Sequence, residues 1–440
     1  MKEKCGVFGI YSKKNDIQIT NKVIQGLNLL QHRGQEGCGI AYDNSGTLIV
    51  EKGLGLVKTF FNNNHNALTN KCIGHVRYST SGDSKNNNIA GLNECQPLIG
   101  NTNDETFYLV HNGNIPNIKI HDTKYIIDCI NSYIDSNFEN KLINLLNTIP
   151  AAYCLIILKN DCLYAIRDSY GIRPLCIGTN NNSYCISSES CALQNHNFLR
   201  DVYPGEIIKI DNTGLSSIYK SPNSQLSICA FEYLYFLNPD SICDGIKVRD
   251  LRNNLGITIA KNETLVLDDE FIVIGIPNSG IISAKSYAKK LNINYKQAII
   301  KNKNINRTFI IPNNLDRKKA CNKKFIYYKD EIKDKKVIII DDTIVRGNVM
   351  KSIIKNLWLY SAKEIHIRVA APPIIDICQL GIDIPSCKEL IAYNKNIEQL
   401  KDIFNVTSIR YISLDDLNNL LPEKSYKQCF GVKIDKNMLI

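Results

Sequence analysis

The sharpest chemical signal in the chain is one run of eleven residues, Val337-Ile338-Ile339-Ile340-Asp341-Asp342-Thr343-Ile344-Val345-Arg346-Gly347. An apolar stretch ends in two adjacent carboxylates, and ligands of open parallel α/β sheets bind at such strand ends. The residues that follow can wrap backbone N–H groups around an anion at the start of a helix, whose dipole favours negative charge. Carboxylates beside a phosphate cradle suit a substrate with both a sugar diol and a phosphate, together with a divalent cation. A second candidate is Cys5. A single cysteine near an N-terminus is more often a small buried thiol than a nucleophile. Cys5 gains a base of its own if residues 1–4 are removed. The freed α-amino group, with an unperturbed pKa of about 7.7–8.0, can then take the thiol proton. Such a site needs no separate catalytic histidine.

The elements that would position these groups fall into two rhythms. In the first half, Cys5 to Ile10 is a short apolar run suited to a buried strand, and Val23, Leu27 and Leu30 have helical spacing within Val23 to Gln31, which Gly34 can stop. Thr123 to Ile134 reads as a helix with Asp122 as its N-cap, and Asn112-Gly113 reads locally as a hairpin turn. Strands are expected over Ala152 to Leu158, Leu163 to Arg167 and Glu206 to Ile210. The polar stretch Lys220 to Ser224 marks a domain boundary. Beyond it, apolar strands at Phe271 to Ile276, Lys336 to Ile340 and Glu364 to Ala371 alternate with helices at Ile281 to Leu291 and Val349 to Tyr360. That repetition predicts a parallel sheet covered by helices.

Composition narrows the function class. The 440 residues suit two or three domains at about 150 residues each. With 44% hydrophobic and 22% charged residues, the chain has the composition of a globular enzyme and not of a disordered or collagen-like chain. The net charge of +10 comes from lysines scattered among Asn and Ile. The longest basic tract, Arg317 to Lys324, is broken by Ala320, Cys321 and Asn322, so a nucleic-acid stripe is not expected. No apolar run approaches the roughly 18–20 residues of a membrane span, and Cys5 to Tyr11 is too short and Gly-rich for a signal peptide. A cytoplasmic location without membrane contact follows as the expectation. The 16 cysteines then read mostly as buried thiols, not disulfides.

The Asp341 run resembles the phosphoribosylpyrophosphate (PRPP) loop of type I phosphoribosyltransferases. Further segments, in order along nearly the whole chain, are similar to the amidophosphoribosyltransferase (glutamine PRPP amidotransferase) family. They are Cys5 to Ile10, Gln31 to Gln35, Gly74 to Thr80, His111 to Asn114, Arg167 to Pro174 and Ser188 to Leu193. Glu232 to Ser241, Lys301-Asn302 and Arg307 to Phe309 complete the set. The resemblance implies an α+β/α/β chain: an N-terminal nucleophile (Ntn) hydrolase αββα sandwich followed by an α/β phosphoribosyltransferase domain with a mainly parallel sheet. Residues 1–4 would be a propeptide, 5–222 the glutaminase domain and 223–440 the phosphoribosyltransferase domain.

By the same resemblance Cys5 is the glutaminase nucleophile, with Asn112 and the Gly113 N–H as oxyanion donors. Arg77 holds the glutamine carboxylate and Asp122 its ammonium. Asp341 and Asp342 contact the ribose hydroxyls of PRPP, Thr343, Ile344, Val345, Arg346 and Gly347 cradle its 5′-phosphate, and Lys301 and Arg307 reach its pyrophosphate. Ser279 joins Asp341 and Asp342 as a Mg²⁺ ligand. Partners implied are glutamine, PRPP, inhibitory purine nucleotides and further copies of the chain in a homo-oligomer, a tetramer by resemblance. The implied reaction yields 5-phosphoribosylamine, glutamate and pyrophosphate, the first committed step of purine synthesis.

Three departures from the family pattern stand out. Asn348-Val349 replaces two hydroxyl residues at the end of the loop, which predicts a raised PRPP requirement. Lys303 to Asn306 lacks the usual aromatic and Gly. One branch of the family holds a [4Fe–4S] cluster on four cysteines; Cys229, Cys378 and Cys429 fall on three of those positions, but Tyr426 occupies the fourth. Cys387 is a conceivable substitute, and a cluster-less enzyme is the favoured reading. Two rivals stay open at this point: another Ntn amidotransferase, such as one aminating fructose 6-phosphate, and a PRPP-sensing regulator that binds nucleic acid.

Overall fold

The structure is a computed structural model. It describes residues 5–439 except 45, 63–64, 79–87, 103–104, 117, 119–120, 136, 303–323, 383 and 385. Residues 1–4, Ser79-Thr80, the segment Lys303 to Asn306, Arg307 to Phe309 and most of the Arg317 to Lys324 tract therefore lie outside the described residues.

The first half is built from two antiparallel sheets packed face to face. One runs Asn197–Asp201, Cys176–Thr179, Ser183–Ser187, Gly6–Asp16, Thr69–Arg77, Gly37–Asn44, Thr47–Leu54. The other runs Gly214–Lys220, Glu206–Asp211, Cys162–Arg167, Tyr153–Lys159, Glu105–Gly113, Leu98–Thr102. Val7, Ile73, Val110, Ile156 and Ala165 fill the layer between them. Helix Ile19–Leu29 covers the outer face of the first sheet through Val23 and Leu27. Helices Asp122–Ser132 and Phe138–Thr148 cover the second through Ile126, Ile130, Leu142 and Leu145. The result is the expected αββα sandwich.

The second half holds five parallel strands in the order Asn294–Tyr295, Phe271–Gly275, Lys336–Asp341, Glu364–Val369, Ser408–Tyr411. Val337, Ile338, Ile339 and Ile340 are all buried, which explains the unbroken apolar run: both faces of this central strand are covered. Helices Ile281–Leu291 and Asn348–Leu359 follow the first two long strands as expected. No helix among the described residues is long and apolar enough to cross a membrane.

Three local expectations are corrected. The N-terminal helix begins at Ile19, four residues before the first position of the Val23 stripe. Asn112-Gly113 is not a hairpin turn: it is the end of strand Glu105–Gly113, opposite Cys154 and Tyr153. Asp122 is the first residue of its helix and not the cap; His121 holds that place, with no side-chain cap bond.

Candidate active sites

Cys5 immediately precedes the central strand Gly6–Asp16. Gly6 pairs with Val76, which sets Cys5 beside Arg77 on the neighbouring strand. The Cys5 thiol donates to the Tyr78 carbonyl across 3.7 Å, and the Cys5 carbonyl accepts from Arg33 Nε at 2.9 Å. Arg33 is fully buried and forms ion pairs with Glu189 at 2.8 Å and Glu232 at 3.0 Å. Arg173 adds a second guanidinium on Glu232 at 3.2 Å. Two cations and two anions thus balance out of water, and removing any one would strand a buried charge, a loss of about 3–5 kcal/mol. Burial pushes the Cys5 thiol up, and the charges of Arg77, Arg33 and Arg173 partly offset that.

The second sheet brings the oxyanion candidates to the same end of the sandwich. His75 on the first sheet meets the His111 carbonyl on the second at 3.1 Å. That contact sets the strand ends carrying Arg77 and Asn112-Gly113 side by side. Asn112 is buried, and its side-chain Nδ2 has no hydrogen-bond partner among the described residues. Buried donors are nearly always satisfied, so an unpaired one is available to an incoming acceptor. At Gly113 a Cβ would lie 2.0 Å from the Ala152 carbonyl, so close backbone approach and not turn chemistry requires glycine there.

Asp122 Oδ2 accepts the Ile115 N–H at 3.0 Å, and burial pushes the carboxyl up to about 6. Keeping it ionised at neutral pH costs about 3 kcal/mol relative to water. The Arg77 guanidinium is paired with Glu94.

In the parallel sheet, Asp341 ends the middle strand. Its Oδ1 accepts the Asp342 N–H at 2.9 Å and the Ser279 hydroxyl at 3.3 Å. Asp342 Oδ1 in turn accepts the Thr343 N–H at 2.7 Å. Burial, and then the adjacent Asp342 charge, push the Asp341 carboxyl well above its usual range. Residues 343–347 fold back so that Gly347, at φ +74°, starts helix Asn348–Leu359 with no side chain capping its N–H groups. Ile344 is buried in the core, and the Val345 carbonyl accepts the Ile391 N–H at 2.9 Å, so both residues offer only backbone to a ligand. Arg346 is bound to Glu389 at 2.7 Å. Lys301 ends the short strand Ile299–Lys301 and pairs with Phe325. Arg307 lies outside the described residues.

The donor chemistry separates the two metals the sequence suggested. Asp341, Asp342 and Ser279 present hard oxygen donors at one strand end, which suits Mg²⁺ shared with substrate phosphates. The cysteine set does not fit a cluster. Cys229 and Cys378 both approach Gly381, and the Tyr426 hydroxyl, 3.8 Å from Cys378 Sγ, stands where a fourth thiolate would be needed. The Cys387 thiol faces Asp376 at 3.6 Å.

Arg33, Arg173, Glu189 and Glu232 lie in the family-like segments, but the sequence alone gives them no role. No local pattern in the sequence marks them out. Glu94 and His75 were likewise missed.

Comparisons with known proteins agree with this layout. Residues 87–195 match the glutamine amidotransferase domain family. The amidophosphoribosyltransferase of Methanocaldococcus jannaschii is 35% identical, over 96% of this chain and 95% of its own. That of Bacillus subtilis is 34% identical, over 95% and 89%. Among solved structures, the B. subtilis glutamine PRPP amidotransferase complexed with ADP and GMP superposes with a TM-score of 0.85 at 32% identity, covering 97% of this chain and 95% of that one. An allosteric regulatory enzyme of purine biosynthesis superposes at 0.86, also with 32% identity, covering 97% and 94%. Identity at this level across both halves excludes the rival readings, and the chain belongs to the amidophosphoribosyltransferase family, enzymes that use glutamine to convert PRPP to 5-phosphoribosylamine in purine biosynthesis.

Proposed function

We propose that Cys5 releases ammonia from glutamine and that the Asp341 loop holds the PRPP that receives it. The observation that carries this reading is the buried, unpartnered Asn112 donor at the strand end beside the cysteine. In this scheme residues 1–4 are removed, and the freed Cys5 amino group takes the thiol proton. Sulfur attacks the side-chain amide carbon; a C–S bond forms and the oxygen becomes an oxyanion. Asn112 Nδ2, helped by a backbone N–H such as that of Gly113, stabilises it, an effect of about 10²–10³ in rate per donor. The proton passes to the amide nitrogen, the C–N bond breaks, and ammonia leaves. Water then hydrolyses the thioester to glutamate.

Arg77 binds the glutamine carboxylate, exchanging its Glu94 partner for the substrate, and Asp122 binds the ammonium. In the second half, Asp341 and Asp342 take the ribose hydroxyls, and the backbone of Thr343 to Gly347 takes the 5′-phosphate. Ammonia attacks C1 of PRPP as the bond to pyrophosphate breaks. Lys301 and Arg307 stabilise that leaving group electrostatically. Mg²⁺ held by Asp341, Asp342 and Ser279 would supply further neutralisation of the pyrophosphate charge when bound. The chemical units correspond to residues 5–222 and 223–440. Purine nucleotide inhibition, assembly as a tetramer and a cytoplasmic location are carried over from the family, the first supported by the ADP and GMP complex of the B. subtilis relative.

The test is glutamate release from glutamine, with and without Mg-PRPP, on protein whose intact mass begins at Cys5. Release that rises strongly with PRPP and matches pyrophosphate is the expected result. Release indifferent to PRPP would overturn the assignment of the second half.

The acid limb of kcat/KM for glutamine provides a finer prediction. It should contain two ionisations, the α-amino base at about 8 and Asp122 at about 6. Asp122 must be ionised to bind an ammonium, so activity is lost as pH falls through 6. Asp122→Asn should raise KM and reduce the slope of log kcat/KM below pH 6 from about two to about one. An unchanged slope would remove Asp122 from the binding site.

A further inference from the structure

We infer that Tyr426 is a positioning residue for the glutamine half-reaction, an inference that rests on the roles of Cys5 and Asn112 given above. Tyr426 is buried, and its backbone is fixed on both sides: its N–H donates to the Ile228 carbonyl at 2.9 Å, and its carbonyl accepts the Ala230 N–H at 3.0 Å. The ring thereby projects toward the turn from Cys378 to Ile382. There its hydroxyl accepts the Leu380 N–H at 3.2 Å, lies 3.8 Å from Cys378 Sγ and donates to Gln428 Oε1. Gln428 fastens the same turn by two more bonds, accepting the Gln379 N–H at 3.0 Å and donating to Gln379 Oε1 at 3.1 Å.

The other side of that turn faces the glutaminase centre. The Gln379 carbonyl accepts from Asn114 Nδ2 at 2.9 Å, and Asn114 directly follows Gly113. The Gly381 carbonyl accepts from Arg173 Nη2 at 2.5 Å. Arg173 leads through Glu232 and Arg33 to the Cys5 carbonyl. The Gln379 carbonyl and the Leu380 N–H belong to one peptide plane, and in a trans peptide they point in opposite directions. Tyr426 therefore holds one end of the plane whose other end holds Asn114. With the hydroxyl gone, that N–H loses its buried acceptor, and the carbonyl that meets Asn114 is held from this side only by the Gln428 bonds to Gln379. Displacement would be transmitted to the adjoining Asn112-Gly113 donors on one side and, through the Ile115 N–H, to Asp122 on the other.

Tyr426→Phe keeps the ring and removes only the hydroxyl. We expect kcat for glutamine-dependent product formation to fall about tenfold, because oxyanion donors a fraction of an ångström out of place lose much of their effect. Product formation from free ammonia and PRPP should stay within about twofold. Asn114→Ala, at the far end of the same peptide, should show the same split, and the double variant should lose no more than either single one. Tyr426→Phe with unchanged kcat would overturn the inference. So would a parallel loss of the glutamine and ammonia routes, which marks a general structural role, and so would additive losses in the double variant. Should Tyr426→Phe fail to fold, Asn114→Ala alone decides by the same kcat and ammonia readouts. Glutamine turnover that persists in a Cys5→Ala control would instead show that the underlying glutaminase assignment is wrong.

Discussion

Cys5→Ala should abolish glutamate release, by about 10⁴-fold or more, while product formation from ammonia and PRPP stays within about twofold. The loss is large because no neighbouring group can replace a sulfur that forms the covalent bond. In the proposed scheme the chain supplies its own base. Arg33, Arg77 and Arg173 surround the thiol and are always charged, so none accepts a proton. The buried histidines are no better: burial takes His75 down to about 3 and His121 to about 4 and holds His111 well below its usual range, too low for a base near neutral pH. The α-amino group of Cys5 itself is left, with an intrinsic pKa near working pH. An active protein should therefore have an intact mass beginning at Cys5. The ammonia route is spared because Asp341 and its loop are built on a different sheet. Loss of both routes together would show that Cys5 supports the fold of the whole chain and not one half-reaction.

What the sequence made legible, and what it did not, follows the range of the interactions. The strands at Phe271 and Lys336 were readable because burial on both faces leaves an unbroken apolar run, and the carboxylates at the end of the second are the break in that run. Cys5 to Ile10 was readable for the same reason. Asn112-Gly113 misled because the dipeptide is the usual mark of a tight turn. Here its glycine answers to the Ala152 carbonyl, some forty residues further along the chain. Asp122 has the side chain of a cap and lies at the start of a helix, yet it turns to the Ile115 N–H instead. The Arg33, Glu189, Glu232 and Arg173 cluster joins residues up to 199 positions apart, and no local pattern announces such a set. Tyr426 was noticed only as a missing cysteine; its bonds to the Leu380 peptide and Gln428 exist only in three dimensions.

Asp341→Asn should lower PRPP-dependent product formation by about 10–10²-fold, because a charge-assisted bond to a ribose hydroxyl is about 1.5–3 kcal/mol. Glutamate release at Cys5 in the absence of PRPP should be unchanged. The same substitution should raise the melting temperature at neutral pH. Asp341 is buried next to Asp342, and its carboxyl is pushed well above the usual range, so the folded state binds a proton more tightly than the unfolded chain does. By linkage, stability falls as pH rises from the unfolded value near 3.9 toward the raised folded one. At neutral pH the wild-type protein carries that cost, and asparagine, which keeps an oxygen for the Asp342 N–H and the Ser279 hydroxyl, does not. The stability gain should vanish when melting is measured well below pH 4, where the carboxyl is protonated in both states. A variant that is less active and also less stable at neutral pH would mean that Asp341 serves the sheet. Activity lost while stability rises would mean that the carboxylate pair is kept, at a cost to the fold, for the ligand it binds.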